Sequence, residues 1–360
     1  MKKSMSSEKL PQPQPTLEEW RRLYAAAQAF KEAAPWESMT EEQLFGVRDP
    51  ETGQVGYCSI TGLLGEHFAL IVYEGEKGLG CYFDLLRRHH EAFSDLEERE
   101  ASLSILETPQ CQVSFEDREL LRNEDREVIK SLGLRFRGRN AWSQFRSYQP
   151  GRVPWFINAP QARFLTIALE QTLIAIREMD AVEVFAHGEV GAPETVKMLV
   201  RSEENGQWLS RWEEVTPLYP TYTANVDESL FIAARRELPQ RKMCMQMHLA
   251  LITNGIAEEY PPFFPYLLLF VDEESGMILG QDLFMIQSTL EESMADLPNL
   301  FLDRLRAMRM RPQEVQVATK RIYQLLALAA GHLGIKLSLV GEMPALEETL
   351  DALEDWLMGM

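Results

Sequence analysis

Apolar residues recur along this chain with two spacings, and the change from one to the other marks out its elements. From Thr16 the helical spacing holds: Trp20, Leu23, Ala27 and Phe30 share one face behind the capping box Thr16-Leu17-Glu18-Glu19, and Pro35 ends the helix. Two apolar runs within Leu44–Ile60 then flank Asp49-Pro-Glu-Thr-Gly53, which predicts a hairpin. His67–Tyr73 follows as a strand, Gly78–Phe93 as a helix and Gln110–Phe115 as an alternating strand. Asp117–Leu132 has the pattern of a helix closed by Gly133, residues 142–157 are extended and aromatic, and Pro160–Met179 is a long helix.

The second half repeats the theme. Val196–Val200 and Trp208–Trp212 flank Glu204-Asn205-Gly206, a second hairpin. Asp227–Leu238 is a helix, and Met243–Thr253, Tyr266–Val271 and Met277–Ile286 are strands. Ser288-Thr-Leu-Glu291 caps a helix running to Met308; strand Glu314–Ala318, helix Arg321–Leu333, strand Gly334–Val340 and helix Pro344–Trp356 complete the chain. The fold class is α+β, with two domains, each a mainly antiparallel sheet packed with helices. A polar, Pro-rich tail covers 1–15, the first domain 16–190 and the second 191–360, with the boundary in the turn-rich stretch around Pro193. Asp49-Pro-Glu-Thr-Gly53 and Asp272-Glu-Glu-Ser-Gly276 are alike; turn chemistry alone accounts for that, and an ancient duplication is the alternative.

Charge changes the picture more than composition does. The 360 residues hold 36 basic and 55 acidic side chains, a net charge of −19, so the surface as a whole repels phosphate backbones and anionic lipid. Yet from Ile129 to Leu169 there is no Asp or Glu, and the window carries Lys130, Arg135, Arg137, Arg139, Arg146, Arg152 and Arg163 among Phe136, Trp142, Phe145, Tyr148, Trp155 and Phe156. Arginine forks grip phosphate or carboxylate, and flat rings stack on bases or guanidinium groups. The candidate binding residues are therefore Arg135, Arg137, Arg139, Trp142, Arg146, Tyr148, Arg152 and Trp155. They face either a protein, an anionic ligand or nucleic acid through residues 135–155, or the protein's own excess of acid.

Catalytic chemistry is thinly represented. Cys58, Cys81, Cys111 and Cys244 form no C-x-x-C pair and suit reduced thiols, Met1–Pro15 lacks the apolar stretch of a signal peptide, and Pro261–Val271 is too short to span a bilayer. These point to the cytoplasm, with no membrane and no cofactor. Met243, Met245 and Met247 alternate as core filler, Cys58 and His67 lack a third orienting group, and Gly75–Gly80 is a helix entry whose Glu74 and Glu76 disfavour phosphate.

Two resemblances add to this reading. The order of elements in the C-terminal half is similar to that of ribonuclease H-like domains, with Tyr266–Asp272 as the first strand. That resemblance implies a two-metal hydrolase or nuclease built on Asp272 with Glu347, Glu348 or Asp351 from the last helix. The second carboxylate it needs is missing from Val315-Gln-Val-Ala-Thr-Lys320, so the site is degenerate and the chain leans away from catalysis. Over residues 35–180, the stretches Leu44–Gly62, Phe115–Leu121 and Leu132–Gly138, continued by Trp142, Phe145-Arg-Ser-Tyr148, Pro150-Gly151 and Pro154-Trp155, resemble a family of bacterial proteins of unknown function. It implies no activity, cofactor or catalytic residue.

Overall fold

The computed structural model describes residues 10–92, 94–179, 192–253, 260–286 and 289–358. In chain order the elements are α1 (Leu17–Ala33), β1 (Phe45–Arg48), β2 (Val55–Thr61), β3 (Ala69–Glu74), α2 (Gly75–Glu91), α3 (Asp95–Leu103), β4 (Gln110–Glu116), α4 (Asn123–Ser131), β5 (Trp142–Tyr148), α5 (Ala159–Met179), β6 (Val196–Glu204), β7 (Gln207–Val215), α6 (Glu228–Glu237), β8 (Gln240–Leu251), β9 (Pro265–Asp272), β10 (Ile278–Met285), α7 (Leu290–Met294), α8 (Leu297–Met308), β11 (Arg311–Val317), α9 (Lys320–Leu333), β12 (Lys336–Leu339) and α10 (Pro344–Met358). The chain forms two compact units, one of residues 1–87, 108–149 and 154–219, the other of 88–107, 150–153 and 220–360.

The first unit is a seven-stranded sheet in the order β5-β4-β3-β2-β1-β6-β7. All its neighbours are antiparallel except β1 and β6, which run parallel. The central strands β2 and β3 are covered on both faces, and β3 accordingly appears in the sequence as an unbroken apolar run, Ala69–Tyr73. On one face Cys58, Ile60, Leu70, Val72 and Val113 meet the apolar stripes of α1 and α5; on the other Tyr57, Ile71 and Tyr73 meet Leu79 and Tyr82 of α2. The Gly-rich start of α2 serves packing: a Cβ on Gly80 would lie 2.1 Å from the Leu218 carbonyl oxygen.

The second unit is a five-stranded sheet in the order β10-β9-β8-β11-β12. β8, β9 and β10 are mutually antiparallel, whereas β11 and β12 run parallel to β8. Met245, Met247 and Leu249 of β8 enter the core with α6, α8 and α9, as the alternation requires. Leu269 and Val271 on the opposite face pack with Leu96 of α3 and with Leu346 and Leu350 of α10.

Several expectations need correcting. The boundary does not fall near residue 190, because β6 pairs with β1 and carries the first unit to Tyr219. The helix expected over 117–132 begins only at Asn123, since Leu121 is extended and buried in the core. The helix expected up to Met308 is two helices: Pro298 lacks the N–H and crowds the preceding turn, so α7 cannot continue into α8. Its N-cap is Thr289, which accepts from the Glu292 N–H, while Ser288 lies outside the described residues. The two similar turns do share chemistry. Gly53 and Gly276 both have positive φ (75° and 68°), and Thr52 and Ser275 donate to Asp49 and Asp272 at the same distance of 2.7 Å. They sit in sheets of different strand order, which favours convergence of turn chemistry over duplication.

Candidate binding site

The basic aromatic segment begins where α4 stops. Gly133 (φ 71°) takes the left-handed conformation that ends the helix, and the chain runs irregularly from Leu134 to Ala141 before β5. This loop is anchored. Phe136 turns inward, stacked on Tyr24 at 6.2 Å and edge-on to Trp142 at 5.6 Å. At its far end the Asn140 N–H donates to Asp117 (2.8 Å), and its carbonyl accepts from Lys31 (2.6 Å). With Phe136 held inside, its neighbours Arg135 and Arg137 are exposed, as is Arg139 beyond Gly138. None of these three arginines has an ion pair or hydrogen bond among the described residues.

The other candidate residues do not join them. Arg146 is 4% exposed and forms a bidentate pair with Asp125 at 2.9 and 2.7 Å, its guanidinium 4.8 Å from the Phe156 ring centroid. Asp125 is fixed in turn by the Arg122 N–H at the start of α4. Trp155 is buried, exchanges two backbone hydrogen bonds with Ser147, and carries the Arg122 guanidinium 4.4 Å from its ring centroid. Trp142 is half-buried, with Arg118 over its ring. Tyr148 is half-buried and accepts from Gln112; burial pushes its hydroxyl up to about 12. Arg152 belongs to the second unit, where it donates to the Pro261 carbonyl and lies over Phe263. Arg163, also in the basic window, is clamped between Glu51 and Glu19. Thus the segment is not one surface: its second half is neutralised internally or packed, and its first half faces out.

Close to the anchored loop lies a cavity of about 340 Å³ that sequence reading missed. It is lined by Trp20 and Tyr24, one turn apart on α1, by Glu124, Asp125, Glu127, Val128 and Ser131 of α4, and by Phe145, Phe156, Ile157, Leu10 and Gln14. The helical spacing of these residues was visible, but the meeting of the two helices was not.

In the second unit, the first strand of the sheet is β8, so Asp272 ends the second strand. It accepts from the Ser275 N–H and hydroxyl; Glu347 accepts from the Met343 N–H, and Asp351 pairs with Arg99. Among the described residues no three or more His, Cys, Asp or Glu gather in a group that could hold a metal ion. Where β8 and the fourth strand β11 adjoin, Gln246 donates to Gln316 (3.1 Å) and accepts from the Leu346 N–H of α10, while Glu314, opposite Cys244, accepts from Lys336 and Ser338.

The unit's buried charge lies elsewhere and was not anticipated. Arg321 contacts Glu107 at 2.8 Å and Glu100 at 3.7 Å, and Tyr266 donates to Glu107 (2.7 Å). Burial acts to raise both carboxyls. At Glu107 burial is the largest single effect, but Arg321, Arg88 and the Tyr266 hydroxyl together outweigh it and hold the group below the ordinary carboxylate range; at Glu100 burial prevails and the group is raised. His248 is buried with Nδ1 lacking a hydrogen-bond partner, and burial pushes it down to about 3, which keeps it neutral.

The family model of a domain of unknown function, DUF7309, matches residues 20–201, just over half of the 360. The chain belongs to the DUF7309 family. The family match runs from Trp20 on α1 into β6 and contains the whole basic segment. A second family model, DUF6930, also a domain of unknown function, matches residues 232–354, which include all five strands of the second sheet. No curated protein and no solved structure matches the chain. Among the described residues no helix is long and apolar enough to cross a membrane.

Proposed function

We propose that this DUF7309 protein is a non-catalytic interaction protein of the cytoplasm, whose arginine loop grips an acidic segment of a partner protein. The observation that carries the reading is the set of exposed, unpaired Arg135, Arg137 and Arg139 on a loop held by Phe136 and Asn140 in a chain of net charge −19. Guanidinium groups suit carboxylates bidentately, and an anchored loop loses little freedom on binding. Nucleic acid is the less favoured partner. Trp155 is buried and Trp142 is engaged on its edge and face, so neither offers a free ring to a base. Gln316, in the stretch 315–320 where the ribonuclease H resemblance calls for a carboxylate, is an amide paired with Gln246, and this supports the non-catalytic side of the reading. Four free cysteines, three of them buried, fit a reducing compartment.

The test is titration of a Glu-rich peptide and of a single-stranded oligonucleotide into the protein and into the triple variant R135E/R137E/R139E, at several salt concentrations. The reading expects salt-dependent peptide binding that the variant loses with an unchanged melting temperature. Peptide affinity that is equal in the two proteins contradicts it, as does a preference for the oligonucleotide.

A further inference from the structure

The cavity beside α4 has a chemistry opposite to that of the arginine loop. Four rings line it: Trp20, Tyr24, Phe145 and Phe156. Among the described residues its charged lining is wholly acidic, consisting of Glu124, Asp125 and Glu127. Their charges are not equivalent. Asp125 is cancelled by the bidentate Arg146, and Arg122 lies near enough to Glu124 and Asp125 to feel both. Glu127 is exposed and makes no ion pair among the described residues. The balance is a half-open aromatic pocket, with guanidiniums of Arg146 and Arg122 already over the Phe156 ring and the unpaired Glu127 carboxylate at its edge.

Ring faces attract cations, and the attraction grows as water is excluded. A carboxylate three residues along α4 from Glu124, one turn of the same helix, adds a point charge for an ammonium group. At about 340 Å³ the cavity falls at the small end of ligand pockets, which run roughly 300–1,000 Å³. We infer that this cavity binds a small organic cation, an arylalkylamine in chemical class, with its ring among Trp20, Tyr24, Phe145 and Phe156 and its ammonium at Glu127. The site goes beyond the arginine loop and uses none of its side chains.

Calorimetric titration of the full chain with tryptamine, and with indole-3-propionate as the anionic counterpart, tests this. Saturable tryptamine binding is expected, with the carboxylate at least about tenfold weaker. Glu127→Gln, a substitution at an exposed position, lowers tryptamine affinity by roughly three- to tenfold without moving the melting temperature, and Glu127→Lys reverses the preference between the two ligands. The R135E/R137E/R139E variant binds tryptamine as the parent does, which separates this site from the loop. Absence of saturable tryptamine binding, equal affinity for amine and carboxylate, or indifference to Glu127→Gln each overturns the assignment.

Discussion

Arg146 and Arg163 show how far apart two arginines of one basic window can stand. Arg163 has Glu51 and Glu19 as partners, but it is over a third exposed, and water screens most of the gain. Arg146 and Asp125 are both under a tenth exposed, so each keeps the other from being a buried, unpaired charge. Asp125→Asn or Arg146→Met alone is therefore expected to cost about 3–5 kcal/mol in chemical denaturation, and Arg163→Ala no more than about 1 kcal/mol. Joint replacement by Asp125→Leu and Arg146→Met recovers part of the loss, because no lone charge is left inside. The excess of base was legible in the sequence. The partner of Arg146 was not, since a separation of 21 residues carries no local signal.

At the scale of elements, what could be read was whatever local chemistry dictates. The turn Asp49–Gly53 was legible because its side-chain and backbone hydrogen bonds close within six residues. The early end of α7 was missed although Pro298 was in view: the apolar spacing continues through it into Phe301, Leu302 and Leu305, and spacing alone hides the break. Gly75–Gly80 is the helix entry the sequence suggests, at the start of α2, but the need for glycine at its end comes from a distant backbone. Gly80 of α2 approaches the Leu218 carbonyl too closely for any side chain. Gly80→Ala is thus expected to destabilise the protein by roughly 1–3 kcal/mol through overpacking, whereas Gly53→Ala, with open space around it, suffers only from its left-handed φ. Urea denaturation of the two variants, read by tryptophan fluorescence, checks both the loss and its origin.

For the molecule as a whole, the sequence showed two sheets packed with helices but misplaced the division between them. The parallel pairing of β1 with β6 joins strands some 150 residues apart, and no periodicity announces such a partner. The excursions 88–107 and 150–153 into the second unit are equally silent, and the first of them carries the two carboxylates that meet Arg321. Charge follows the same rule. A surplus of base within one window is a fact of sequence, and whether it reaches water is a fact of packing. The account rests on three outward arginines, Arg135, Arg137 and Arg139, ahead of an inward Arg146. Brief modification of the native protein with phenylglyoxal, read residue by residue by mass spectrometry, tests that division directly. The account predicts rapid labelling of Arg135, Arg137 and Arg139 and protection of Arg146 until the protein unfolds; labelling of Arg146 at the same rate, or protection of the loop arginines, would contradict it.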